Sequence, residues 1–174
     1  MVTVEVFEKA ILYAVKAHRG QRRKGDGRPY ILHPMSVLRT LYEVKESKNM
    51  FLLATVAMLH DVSEDCGVSI KKIAKKFGHA VAALVEELTL DKAKYETIGK
   101  TKYLCEEVIK MSSYALCIKL CDRLDNVRDM KKMPDDFRTK YKAETAEILN
   151  VLQGNRKLTK TQKKLVKLIT KEIQ

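Results

Sequence analysis

Four residues of this chain have the chemistry of a metal site: His33, the adjacent pair His60 and Asp61, and Asp122. Imidazole nitrogens combined with carboxylate oxygens suit Mn²⁺, Fe²⁺ or Zn²⁺ better than Ca²⁺, which prefers oxygen ligands alone. Such a ligand set also leaves coordination positions for water. We therefore predict a site for a divalent transition metal, although a single histidine taken alone is more often a hydrogen-bonded structural residue.

Sequence position explains how the first three residues could serve such a site. His33 precedes Pro34, and because proline is favoured in the first turn of a helix, His33 is expected at a helix entrance. His60 and Asp61 follow Met50–Leu59, a run that is apolar on nearly every face and is therefore expected to be the central helix. Adjacent helical residues diverge by about 100°, so both can bind one ion only if it lies over the edge between their faces.

Asp122 lies on a predicted helix with Ala115 and Ile118 seven and four residues before it. This spacing places the carboxylate on the apolar face of the helix, which is expected to face the core. A buried carboxylate is costly unless it is paired with a cation or binds a metal. Two interpretations stay open: Asp122 is a metal ligand, or it forms an ion pair with a nearby cation such as Arg123 or Arg22.

Three further polar residues could take part in a reaction at this metal. Glu64 and Asp65 each stand four residues after a member of the His-Asp pair, so in a continuous helix they lie one turn further along the same wall. This acidic pair could orient or deprotonate a water molecule, and the alternative is a solvated helix end. Asn126 stands four residues after Asp122 and could hydrogen-bond a ribose or cap a neighbouring turn.

One glycine-rich loop interrupts the helical pattern. Residues 20–30 contain three of the seven glycines together with four basic residues, so the backbone there can bend and its amides can face an anion. An ordinary surface turn is the alternative. Most of the formal net charge of +12 lies in residues 16–28 and 155–174. Such basic segments attract phosphate groups, or they form a solvated basic face.

The elements that must position these residues are predicted to be helices, because hydrophobic residues recur at helical spacing almost throughout the 174 residues and no pair of strands is evident. We expect an all-α protein made of a single compact bundle. The longest predicted helices cover residues 50–62, 70–77, 81–88, 103–111, 113–130, 137–152 and 165–173.

The location of the protein follows from two further patterns. The longest stretch without a charged residue, residues 49–60, is far shorter than the roughly 20 apolar residues of a membrane span. The N-terminal residues lack the charged and apolar regions of a secretory signal. We therefore predict a cytoplasmic protein without a membrane partner.

Five short motifs follow one another along residues 10–130. They are residues 17–21 (Ala-His-Arg-Gly-Gln), 23–24 (Arg-Lys), 29–34 (Pro-Tyr-Ile-Leu-His-Pro), 60–65 (His-Asp-Val-Ser-Glu-Asp) and 119–126 (Lys-Leu-Cys-Asp-Arg-Leu-Asp-Asn). In this order and spacing they resemble the alarmone hydrolase domain of the RelA/SpoT family, within the HD superfamily of metal-dependent phosphohydrolases. A lone His-Asp pair would carry no such weight.

This resemblance implies one HD-type domain over residues 1–174, with the motifs in about residues 10–130 and completing helices in residues 135–174. It implies a Mn²⁺-dependent hydrolase that removes pyrophosphate from the ribose 3′ position of ppGpp and pppGpp, giving GDP or GTP. It also implies roles for nine residues. The metal ligands are His33, His60, Asp61 and Asp122, and the acidic pair at the attacking water is Glu64 and Asp65. The nucleotide-binding positions are Arg23, Lys24 and Asn126.

Two alternatives differ in substrate or in class. Small hydrolases of this type can also remove the 2′-phosphate of NADPH, which presents a phosphorylated ribose to the same metal. A basic helical module that binds nucleic acid through residues 155–174 is the second alternative. It leaves the histidines and aspartates unexplained, so a small nucleotide is the favoured partner.

Overall fold

The computed structural model describes residues 2–174, and every regular element among them is a helix. The all-α prediction is confirmed. In this part of the chain, extended residues pair only at an isolated antiparallel bridge between Arg22 and Pro29. None of the described helices is both long and apolar enough to span a membrane. The helices fall into two compact units, residues 2–23 with 27–89 and residues 24–26 with 90–174. A single domain over the whole chain stays a prediction.

The first unit is built around a largely apolar helix. Its helices are α1 (Val4–Ala17), α2 (Leu32–Val44), α3 (Met50–Leu59), α4 (Val62–Cys66), α5 (Ile70–Phe77) and α6 (His79–Leu88). Helix α3 contacts α1, α2 and α6. All of its residues from Leu53 to Leu59 are buried, because neighbouring helices cover each of its faces. The prediction of a central helix is therefore confirmed.

Local signals fix some helix ends in this unit but not all. The Ser69 hydroxyl accepts a hydrogen bond from the Lys72 amide and begins α5, and Gly78, at φ +92°, ends it. The predicted helix over residues 50–62, in contrast, is wrong at its end. It stops at Leu59, a turn follows at residues 60–61, and a separate short helix begins at Val62.

The second unit contains the predicted helices of the C-terminal half and one that the hydrophobic pattern did not predict. Its elements are α7 (Lys92–Ile98), α8 (Lys100–Lys110), α9 (Ser113–Asp129), the 3₁₀ helix η1 (Met130–Lys132), α10 (Asp135–Asn155) and α11 (Lys160–Ile173). Helix α8 packs on α10, and α9 packs on α11. Ala115 and Ile118 are fully buried on α9, and Asp122 is 7% exposed. The predicted inward face of this helix is confirmed.

Candidate active site

In the first unit, two histidines converge on one carboxylate oxygen. The Nε2 atom of His60 lies 3.1 Å from Asp61 Oδ2, and the Nε2 atom of His33 lies 3.4 Å from the same oxygen. Each histidine is only 2% exposed, whereas the Asp61 side chain is 19% exposed. Three of the four predicted metal ligands therefore meet at one point that solvent can reach on the side of the carboxylate.

A backbone carbonyl fixes the tautomer of His60. The Nδ1 atom of His60 donates a hydrogen bond to the carbonyl oxygen of Ala57 at 2.7 Å, and a carbonyl oxygen can only accept. The proton of the neutral ring is therefore on Nδ1, and the lone pair of Nε2 points towards Asp61. A hydrogen bond of this kind on the opposite ring nitrogen is the usual support of a metal-binding histidine. Two imidazole nitrogens and a carboxylate fit a divalent transition metal.

The turn between α3 and α4 is what brings His60 and Asp61 together. In a continuous helix their side chains would point about 100° apart. Asp61 instead adopts φ −98° and ψ −6°, in a sparsely populated region of backbone space that active-site residues often occupy. The Asp65 amide still donates to the Asp61 carbonyl at 2.8 Å. Asp65 therefore lies one turn from Asp61, as expected, and Glu64 is half-buried whereas Asp65 is exposed.

Two side chains that were not predicted as site residues hold the carboxylates in place. The Tyr30 hydroxyl donates to Asp61 Oδ2 at 2.7 Å, and Gln21 Nε2 donates to Asp65 Oδ2 at 2.9 Å. His18 Nδ1 donates in turn to Gln21 Oε1 at 2.6 Å. All three residues lie inside the motifs that carried the family resemblance, and this membership was the signal that could have found them.

The basic loop is an ordered turn closed by main-chain hydrogen bonds. The Tyr30 amide donates to the Gln21 carbonyl at 3.0 Å, and the Arg23 amide donates to the Arg28 carbonyl at 2.9 Å. The Arg23 guanidinium lies over the Tyr30 ring, 5.7 Å from its centroid. Lys24 is exposed at the turn. Arg23 is thus a half-buried cation that is held in place by an aromatic face.

In the second unit, both carboxylate oxygens of Asp122 have partners. Oδ2 lies 3.1 Å from Lys119 Nζ, and Oδ1 accepts a hydrogen bond from Asn126 Nδ2 at 2.5 Å. The side chains of Lys119 and Asp122 are 15% and 10% exposed. An ion pair is therefore present, with a lysine that the sequence-based alternatives of Arg123 and Arg22 did not include. Asn126 orients the carboxylate from the next turn of α9.

Comparison with known proteins decides the family. The model of the HD-domain family matches residues 10–159 of this chain. The chain belongs to the HD-domain family. HD domains bind divalent metal ions, and the donor atoms of His33, His60 and Asp61 suit such an ion in this member. The resemblance inferred from the sequence motifs is confirmed.

The relatives of this HD-domain chain include short and long proteins. Human guanosine-3′,5′-bis(diphosphate) 3′-pyrophosphohydrolase MESH1 is 33% identical over 162 residues, which are 89% of this chain and 89% of that protein. A solved structure of a metazoan SpoT orthologue that hydrolyses ppGpp is similar at a TM-score of 0.80 and 31% identity, over 95% of this chain and 94% of that chain. The GTP pyrophosphokinase of Streptomyces antibioticus is 35% identical over 149 residues. These residues are 84% of this chain and only 17% of the pyrophosphokinase.

Proposed function

We propose that this HD-domain protein is a Mn²⁺-dependent guanosine-3′,5′-bis(diphosphate) 3′-pyrophosphohydrolase. It converts ppGpp to GDP, and pppGpp to GTP, with release of pyrophosphate in the cytoplasm. The observation that carries the proposal is the convergence of the His33 and His60 ring nitrogens on Asp61 Oδ2. Support comes from human MESH1, whose name states this activity and whose alignment with this chain covers 89% of each sequence.

The proposed metal ligands are His33, His60, Asp61 and Asp122. The first three have the donor atoms and the fixed His60 tautomer described above. Asp122 is included because its motif matches the family and because a bound metal ion would stabilise its buried carboxylate together with Lys119. When bound, the ion would act as a Lewis acid that polarises water and the phosphoryl oxygens.

The acidic pair is proposed to handle the proton of the attacking water. Hydrolysis forms a bond between the water oxygen and phosphorus and breaks the bond from phosphorus to the ribose 3′ oxygen. One proton leaves the water, and the 3′ oxygen gains one. We assign Glu64 and Asp65 as acceptors of the water proton, because a positioned carboxylate can act as a general base. Gln21 keeps Asp65 oriented through its hydrogen bond.

Three residues are proposed to bind the nucleotide. Arg23 and Lys24 provide positive charge for its phosphates, and the Tyr30 ring restrains Arg23 before the substrate arrives. Asn126 is assigned to a hydrogen bond with the ribose. These assignments rest on the family motifs together with the ordered structure of the loop.

The reaction is tested by incubating the purified protein with ppGpp, pppGpp or NADPH, with and without Mn²⁺, and identifying the products. We expect GDP or GTP together with pyrophosphate, formed only when Mn²⁺ is present. Conversion of NADPH to NADH and phosphate, without turnover of ppGpp or pppGpp, would replace the substrate and keep the metal site. No turnover of any of the three would refute the proposed function.

Glu64→Gln tests the general base. The change keeps the shape of the side chain and removes the charge that accepts a proton, so kcat should fall by about 10²–10⁴-fold. Binding of Mn²⁺ and of ppGpp should persist, which separates a catalytic loss from a folding defect. Glu8→Gln makes the same chemical change on the exposed surface of α1 and should leave kcat unchanged. Turnover near that of the wild type in both Glu64→Gln and Glu64→Gln/Asp65→Asn would contradict the assignment.

A further inference from the structure

Tyr30 contacts several residues of the candidate active site at once. Its hydroxyl donates to Asp61 Oδ2, the atom that both His33 and His60 face. Its ring meets the His33 ring edge-on, with centroids 5.6 Å apart, and the Arg23 guanidinium lies over the ring. One side chain therefore contacts two proposed metal ligands and one proposed nucleotide-binding residue.

The hydroxyl group is fixed in its role as a donor. The phenol group of Tyr30 carries the O–H of the contact with Asp61 Oδ2. A carboxylate oxygen can only accept. The hydrogen bond of 2.7 Å therefore always runs from Tyr30 to Asp61. It fills one lone-pair direction of Oδ2 and thereby sets the orientation of the whole carboxylate.

The ring is held as firmly as the hydroxyl. The buried His18 ring lies at 30° to the Tyr30 ring, with centroids 4.8 Å apart. The Tyr30 amide donates to Gln21, and the Tyr30 carbonyl accepts from the His33 amide at 2.8 Å. These contacts hold both the backbone and the ring of Tyr30 in the observed orientation.

We propose that Tyr30 is a positioning residue that acts on two parts of the site through different atoms. Its hydroxyl holds Asp61 in the orientation that binds the metal ion, and its ring holds Arg23 in place for the nucleotide. The role of the ring rests on the proposed function, because it concerns nucleotide binding. The role of the hydroxyl rests only on the metal site. Partners of this kind commonly change metal affinity by about 10–100-fold when they are lost.

Tyr30→Phe removes the hydroxyl and keeps the ring. Calorimetric titration of the metal-free protein with Mn²⁺ should show a dissociation constant raised by about 10–100-fold relative to the wild type. At saturating Mn²⁺ the KM for ppGpp should match that of the wild type, because the ring still supports Arg23. Tyr42→Phe is the matched control, since that tyrosine is 51% exposed on α2. It should leave both constants unchanged.

Tyr30→Leu removes the ring as well. We expect the same weakening of Mn²⁺ binding and, at saturating Mn²⁺, a KM for ppGpp above that of Tyr30→Phe. The melting temperature of each metal-free variant is measured alongside, because a merely structural role would lower this temperature and leave the Mn²⁺ constant unchanged.

Each outcome of these measurements decides a part of the proposal. The role of the hydroxyl would be overturned if the Mn²⁺ dissociation constant of Tyr30→Phe lay within about twofold of the wild-type value, because a rise of about 10–100-fold is expected. Equal KM values for the two variants would overturn the role of the ring. If the wild type bound Mn²⁺ without hydrolysing ppGpp, the proposed function would fail and the Mn²⁺ constants would still judge the hydroxyl. A wild type that binds no Mn²⁺ would remove the metal site and this role with it.

Discussion

The ion pair between Lys119 and Asp122 offers a way to decide whether Asp122 is a metal ligand or only a paired carboxylate. Lys119→Met removes the ammonium group and keeps a flexible side chain of similar length. The Asp122 carboxylate then retains its hydrogen bond from Asn126 but loses the cation 3.1 Å from Oδ2. Loss of its nearest cation destabilises a buried carboxylate, and a bound metal ion could replace the missing charge.

The size of the effect follows from the burial of the pair. The two side chains are 15% and 10% exposed, so the pair is largely buried, and breaking a buried pair costs about 3–5 kcal/mol. The retained hydrogen bond from Asn126 favours the lower end, about 3 kcal/mol. For a chain of this length 1 kcal/mol corresponds to roughly 2–4 °C. The metal-free variant should therefore melt about 6–12 °C below the wild type.

The assay compares melting temperatures with and without saturating Mn²⁺ in three proteins. A ligand that binds the native state raises its stability, so the rise on adding Mn²⁺ reports metal binding. If Asp122 binds the ion, the rise in Lys119→Met should exceed that of the wild type. Lys119→Met/Asp122→Leu is the matched control. It should recover most of the metal-free stability, because an apolar pair can replace a buried ion pair, and it should gain less than the wild type from Mn²⁺.

Two results would refute this reasoning. An equal rise on adding Mn²⁺ in the wild type, in Lys119→Met and in the double variant would show that Asp122 is a paired carboxylate and no ligand. A metal-free Lys119→Met that melts at the temperature of the wild type would show that the pair is too well solvated to matter.

Two further predictions concern the basic loop and the C-terminal helix. Arg23→Ala and Lys24→Ala should raise the KM for ppGpp with a smaller change in kcat, because the loop would hold the nucleotide and not the attacked phosphorus. An unchanged KM in steady-state assays would show that the loop is only a surface turn. Hydrogen bonds from Lys131 and then Arg128 lower the pKa of Glu172, although burial opposes them. The ionised Glu172 carboxylate therefore stabilises the fold above the ordinary pKa of about 4.5, and this stabilisation is lost as the pH falls through the lowered pKa. Glu172→Gln should therefore flatten the acid side of the curve of melting temperature against pH, and an unaltered curve would contradict this assignment.

Features that depend on local sequence could be predicted. The residues of α3 from Leu53 to Leu59 are buried on every face, and the Ser69 cap and Gly78 stop bound α5 as expected. The inward face of Asp122 followed from the spacing of two apolar residues on the same helix. Helix α7 was missed because none of its residues is buried, so it has no hydrophobic period to detect.

Features that depend on the packing of distant segments could not be predicted. Nothing in the sequence near His60 and Asp61 marks the end of α3, because no glycine or proline stands between residues 50 and 66. Tyr30 and Gln21 have no role until the fold brings them to carboxylates 31 and 44 residues away. The types of the proposed ligands can be recognised by their chemistry, whereas a supporting tyrosine or glutamine is recognised only by what it contacts.

The geometry around Asp61 Oδ2 itself argues for a bound cation. With its proton on Nδ1, a neutral His60 ring points a lone pair at a carboxylate oxygen 3.1 Å away, which is repulsive unless a proton or a cation lies between them. Protonating both histidines would place two positive rings 5.2 Å apart, both facing an oxygen that already accepts from Tyr30. A single divalent ion shared by the two nitrogens and the carboxylate removes both difficulties. The donor atoms that suit a divalent ion are therefore ones whose mutual repulsion a bound cation would relieve.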